Sequence, residues 1–153
     1  MKKAILVVLF VMIGIFTLTG CNKQNQFEVG AVSTIEPSSQ KVSLSIKNNT
    51  LTNNGTTIIL ANNTDEDATY GSFYALEIKE DGNWHQINVS VLFNDMTYTL
   101  KAGETKEIEI NWKNEYGSLA KGEYRIIKDI SFAKADGTYD DFYVAGEFSI
   151  NYD

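Results

Sequence analysis

The chain has 153 residues, 43% of them hydrophobic and 12% aromatic, enough for one core and one globular domain. Twenty acidic side chains against 13 basic ones give a net charge of −7. Such a surface repels phosphate backbones and anionic headgroups, so it disfavours nucleic-acid partners and any membrane attachment that relies on charge. One cysteine and one histidine allow no internal disulfide and no zinc cluster, which leaves the core to hold the fold.

Met1-Lys2-Lys3 is a positive start, Ala4 to Leu18 is a nearly unbroken apolar run, and Thr19-Gly20 supplies small residues before Cys21. This is the layout of a secretory signal. The stretch Leu18-Thr19-Gly20-Cys21 resembles the lipobox of bacterial lipoproteins. The resemblance implies a signal peptide over residues 1–20, a diacylglyceryl group on the Cys21 sulfur, and cleavage before Cys21. Two fatty acyl chains such as palmitate would hold the domain on the outer face of the cell membrane, where a single chain would be marginal. An uncleaved span is the competing reading, at the short edge of the ~17–25 residues needed to cross a bilayer. A reactive thiol is a third, but only Lys23 stands nearby to lower its pKa.

Residues 21–40 are polar, carry the only proline, Pro37, and show no sustained periodicity. They read as a tether with one short edge strand around Phe27 to Val29. From Lys41 to Asp153 the texture changes to short alternating runs separated by Gly, Asn and Asp, the signature of strands and turns. Val42, Leu44 and Ile46 share one strand face. Asn54-Gly55 turns the chain into the β-branched run Thr56 to Ala61. Phe73 and Ala75 fall on one face of the next run, with Tyr74, Leu76 and Ile78 on the other. Asp81-Gly82 then signals a hairpin into Trp84, Ile87, Val89, Val91 and Phe93.

Ala102-Gly103 precedes the alternation of Ile108, Ile110 and Trp112, and two further strands meet around Ala135-Asp136-Gly137. Seven to eight strands at spacings near ten residues, with no stretch of helical period, predict an all-β fold. The architecture expected is an antiparallel sandwich with Greek-key connections. Trp84 and Trp112 are expected in its core.

Leu119, Gly122 and Tyr124 are spaced as in a tyrosine corner, in which a tyrosine hydroxyl bonds a backbone group upstream and Gly122 permits close approach. With Tyr70-Gly71, Leu76-Glu77, Trp84, Gly103-Glu104, Trp112 and Tyr116-Gly117, the body resembles the bacterial Ig-like domains of lipoproteins from Gram-positive Firmicutes. The resemblance implies an Ig-like β-sandwich outside the cell membrane. A looser similarity, through Gly103-Glu104, Trp112 and Gly122-Glu123-Tyr124, is to Ig-like bacterial intracellular proteinase inhibitors. Those positions maintain the fold and carry no inhibition across.

Chemistry is sparse. His85 is a lone histidine that alternation turns away from the face used by Trp84, with no serine elbow or second cysteine to make a nucleophile. Asp140, Asp141 and Glu147 could supply the two carboxylates of a glycosidase, but adjacent strand residues point to opposite faces. Asp65-Glu66-Asp67 could offer oxygen ligands to Ca2+, yet lacks the spacing and central glycine of an EF-hand loop. No motif for a cofactor, a catalytic metal or a phosphate loop is present.

The expectation is a non-catalytic binding or accessory module whose partner is an envelope protein or a cell-wall component. An envelope protease inhibitor is the alternative, and a cell-wall hydrolase ranks last. Recognition in such sandwiches uses end loops or an exposed sheet face. The expected contact groups are Asn62 to Tyr70, Asp81-Gly82-Asn83, and Lys113 to Lys121.

Overall fold

The computed structural model describes residues 27–38, 40–90, 94 and 96–151, so Cys21 and the lipobox residues Leu18, Thr19 and Gly20 lie outside them. Ten strands and one four-residue helix make up the described chain: β1 (Glu28–Val32), β2 (Val42–Ile46), β3 (Gly55–Asn62), β4 (Ala68–Gly71), β5 (Ala75–Glu80), β6 (Asn83–Asn88), β7 (Thr97–Leu100), β8 (Thr105–Asn111), α1 (Lys113–Tyr116), β9 (Gly122–Ala133) and β10 (Tyr139–Ile150). Each strand pairing is antiparallel. A back sheet runs β2-β3-β8. A front sheet runs β1-β6-β5-β9-β4-β7, with β10 on the other side of β9. This is an Ig-like β-sandwich.

The strand count exceeds seven to eight for two physical reasons. Tyr70 pairs with Ile130 while Ala75 pairs with Ile127, so Gly71 to Tyr74 face only two residues of β9. The surplus bulges out and divides one long strand into β4 and β5. The second reason is β1, the short edge strand expected around Phe27 to Val29, which the count from Lys41 onward does not include and which stands at the edge of the front sheet. It pairs with β6 through Glu28↔Asn88 and Val29↔Ile87. Past β1 the chain crosses the front sheet: Ser33 N–H donates to the Trp84 carbonyl at 2.8 Å, and Ser38 N–H to the Tyr143 carbonyl at 2.7 Å. Residues 27–38 are thus packed on the sandwich.

Alternation fills the core. Thr56, Ile58, Leu60 and Asn62 of β3 point inward and their neighbours outward. From the front sheet come Leu76 and Ile78 of β5 and Ile126, Ile130 and Phe132 of β9, with Val144 and Phe148 of β10 beside them. Trp112, fully buried, stacks on Phe148 at 5.3 Å between ring centroids, and Phe148 stacks on Tyr124 at 5.7 Å. Such pairs contribute beyond the area they bury. The Trp112 indole N–H donates to the Asn53 carbonyl at 2.7 Å, and the Tyr124 hydroxyl donates to the Ala120 carbonyl at 3.0 Å. A side chain at Gly122 would press on the Tyr124 ring, whose atoms lie 3.1–3.2 Å from where its Cβ would stand.

Trp84 departs from the expected core placement. On β6 the inward residue is Ile87, three positions on, so Trp84 falls on the opposite, outer face. Trp84 and Ile87, an odd number of positions apart, cannot share one face of a regular strand. The structure keeps the alternation regular and turns the indole outward.

The turns follow their residues. Asp81 (φ 48) and Gly82 (φ 81) are both left-handed between the paired residues Glu80 and Asn83. That is the two-residue turn whose twist suits a hairpin.

Candidate binding face

The outer face of the front sheet is where polar and apolar groups converge. On β9 the outward residues are Arg125, Ile127 and Asp129, yet Arg125 and Ile127 are buried. The crossing segment and Trp84 cover Arg125. Its guanidinium Nε donates to Glu77 Oε2 at 2.6 Å and its Nη2 lies 2.5 Å from the same oxygen. Nη2 also donates to the Ile35 carbonyl at 3.2 Å, and the guanidinium lies 4.8 Å from the Trp84 ring centroid. With the two side chains only 7% and 1% exposed, the pair is desolvated. Its net contribution is therefore small, while removing one member would strand the other.

Beside this pair opens a pocket of about 360 Å3. Ile127 and Ala75 contribute apolar surface, Ile35 of the crossing segment borders it, and Phe73 and Tyr143, 45% and 43% exposed, stand at its margin. Glu77 and Asp129 also line it, and each has a buried carboxylate oxygen, Glu77 Oε1 and Asp129 Oδ1, with no hydrogen-bond partner.

Behind the face, the bulge between β4 and β5 is filled by Lys128, only 2% exposed. Its ammonium donates to the Gly71 carbonyl at 2.7 Å and the Phe73 carbonyl at 2.5 Å, and lies 5.5 Å from the Tyr70 ring centroid. Burial pushes its pKa down to about 8, and the neighbouring Asp129 charge opposes the shift. The lysine thus satisfies carbonyls that the ladder leaves over, and with them fixes Phe73.

The residues singled out from sequence do not gather at one site. His85 Nδ1 lies 3.2 Å from the Gly30 carbonyl, a contact of the β1 edge. Asp140 pairs with Lys41 at 2.5 Å, which lowers its pKa, while Asp141 accepts from the Ser131 hydroxyl at 2.6 Å. They sit on opposite faces of β10, and Glu147 is exposed farther along the Asp141 face.

In the acidic loop, Asp67 accepts from the Lys101 ammonium at 2.7 Å and the Ala102 N–H at 2.9 Å. Both bonds, the lysine's first, hold its carboxyl below the usual range. Buried Asn62 ties this loop down, donating through Nδ2 to the carbonyls of Glu66 and Lys101 and accepting through Oδ1 from Thr64 N–H. Among the described residues no group of three or more His, Cys, Asp or Glu could hold a metal ion.

The three expected contact loops are also divided. Asn62 to Tyr70 begins at the end of the sandwich that holds Lys101. Asp81-Gly82-Asn83 and Lys113 to Lys121 lie at the other, where Leu119 meets Asn53. No motif in the sequence marks the outer-face pocket, although alternation puts Phe73 and Ala75 on one strand face.

The fold and this half-covered face define an Ig-like β-sandwich. Residues 38–148 match the family model described as bacterial Ig-like domain, and the chain belongs to that family. No curated protein and no solved structure matches it. The match begins at Ser38, so β1 and most of the crossing segment lie outside it.

Proposed function

We propose that the chain is a non-catalytic binding or accessory module, held on the extracytoplasmic face of the cell membrane by a diacylglyceryl group on Cys21, whose partner is an envelope protein or a cell-wall component. The observation that carries the binding part is the outer face of the front sheet, where an open pocket stands between exposed Phe73 and Tyr143. Exposed aromatics beside a formed cavity are a common basis of recognition. Membership in an Ig-like family supports the non-catalytic part, and Asp140 and Asp141 are each engaged elsewhere and point apart. Anchoring is supported by the lipobox-like Leu18-Thr19-Gly20-Cys21 after an apolar run.

Intact-mass measurement of the membrane fraction tests the anchor. The expected species begins at Cys21 and carries diacylglycerol. An unmodified chain beginning at Met1 would refute the lipoprotein reading. Turnover of labelled cell wall, abolished by Asp140→Asn or Asp141→Asn, would overturn the non-catalytic reading.

A further inference from the structure

We propose that the outer-face pocket is a receptor for a basic side chain, a lysine or arginine presented by a segment of a partner polypeptide. The inference rests on the binding-module reading and assigns its site and the chemistry of its ligand. Three observations support it independently.

The first is the pair of carboxylate oxygens. Glu77 is almost fully buried, and its Oε2 is taken by Arg125, but Oε1 is without a hydrogen-bond partner. Asp129 Oδ1 is in the same condition, and both residues line one cavity. A buried acceptor without a donor is costly, and the remedy is a donor from outside. An ammonium or guanidinium brings several donors and no acceptor. Arg125 balances the charge of Glu77, whereas Lys128, the nearest cation to Asp129 along the chain, spends its ammonium on the Gly71 and Phe73 carbonyls. Asp129 thus feels the Lys128 charge but forms no salt bridge among the described residues, which leaves its Oδ1 without a donor.

The second is the margin. Phe73 and Tyr143 present aromatic surface at the mouth, and Ile127 and Ala75 line it within. A long basic side chain has a polar head for the carboxylates and an apolar stem for the aromatics. A neutral sugar would bring hydroxyls but no charge to meet Asp129, and an acidic segment would be repelled. The third observation is the net charge of −7, which favours encounter with a basic partner at long range.

The fold also keeps the pocket formed without a ligand. Ile35 is held by the Arg125 bond to its carbonyl, and the chain after it by Ser38 N–H on the Tyr143 carbonyl. A preformed site loses little freedom on binding.

Titration calorimetry of the full-length chain in detergent tests the proposal, with a short lysine-rich peptide as the probe and its fully acetylated counterpart as the neutral control. The lysine peptide is expected to bind and the acetylated one is not. Asp129→Asn and Tyr143→Ala should each weaken binding about tenfold or more, the loss of one charge-assisted contact, with unfolding midpoints close to the unsubstituted protein. Glu147→Gln removes an exposed charge of the same face outside the pocket, and should leave affinity within about twofold, as a screened surface charge would.

Equal weakening by Glu147→Gln would mean diffuse attraction to an acidic surface and would overturn the pocket. Equal binding of the acetylated peptide would overturn its cation specificity. If the chain retains an envelope partner that Asp129→Asn and Tyr143→Ala do not weaken, the binding-module reading stands and this site fails. Binding of a wall polymer bearing free amines in place of the peptide would refute the polypeptide ligand.

Discussion

At the scale of single residues, a buried lysine and two buried tyrosines tie stability to pH. Lys128 has a folded pKa of about 8, below its ordinary 10.5, because burial disfavours the charged form. Between those values the unfolded chain binds more protons than the folded one, so stability must rise with pH across that interval, by up to about 1.4 kcal/mol per unit. Tyr74 and Tyr116 act in the opposite sense. Burial raises both phenols above 10, so the unfolded state loses their protons first and stability falls above about pH 10. Chemical denaturation between pH 7 and 11 should give a stability maximum near pH 9 to 10. Lys128→Met should abolish the rising limb while lowering stability at neutral pH, because the carbonyls of Gly71 and Phe73 lose their donor. A flat profile for the unsubstituted protein would contradict the burial of this ammonium.

Between neighbouring strands the close fits are made by backbone. Gly55 opens β3 opposite Asn111, and a Cβ there would run into the Ile110 carbonyl of β8, which cannot move without breaking the ladder. Gly55→Ala should therefore destabilise the domain by about 1–3 kcal/mol, read as a lowered denaturation midpoint. An unchanged midpoint would mean that β3 and β8 are farther apart than described. Asp81-Gly82 and the junction at Asp136-Gly137 were legible as turns from their residue types, whereas the turn expected at Asn54-Gly55 falls one residue earlier, on Asn53-Asn54, with Gly55 bridged to Thr52.

The alternation that put Tyr74, Leu76 and Ile78 in the core was legible for the same reason, since a period of two maps directly onto faces. The split of β4 from β5 was not. It depends on how many residues of β9 lie opposite Gly71 to Tyr74, and pairing is not written in either strand alone. The outward turn of Trp84 is written only in its odd spacing from Ile87, against the usual burial of so large an aromatic. The edge strand near Phe27 to Val29 was legible and forms as β1, but for the crossing segment polar composition suggested a tether, whereas backbone bonds from Ser33 and Ser38 and one arginine, Arg125, hold it down. Nothing in its own periodicity records partners on β6, β9 and β10.

At the scale of the molecule, the N-terminal segment joins the two halves of the account. It leaves the region expected to carry the lipid, pairs with the front sheet as β1, and crosses the outer face to make one border of the pocket. The candidate site was illegible for the same reason: Ile35, Phe73, Glu77, Asp129 and Tyr143 come from separate stretches, and none carries a motif. The loops at the two ends were the natural guess, yet Asn62 and Asp67 spend their polar groups within their own end of the sandwich.

The central claim is that the protein works by binding through the outer face of its front sheet. Its most direct test compares capture of an identified envelope partner by the soluble Cys21→Ser chain and by the same chain with Phe73→Ala and Tyr143→Ala, using Glu109→Gln on the back sheet as control. Loss of the partner with the front-face pair and retention with Glu109→Gln is the predicted result. Undiminished capture by the front-face pair would contradict the account.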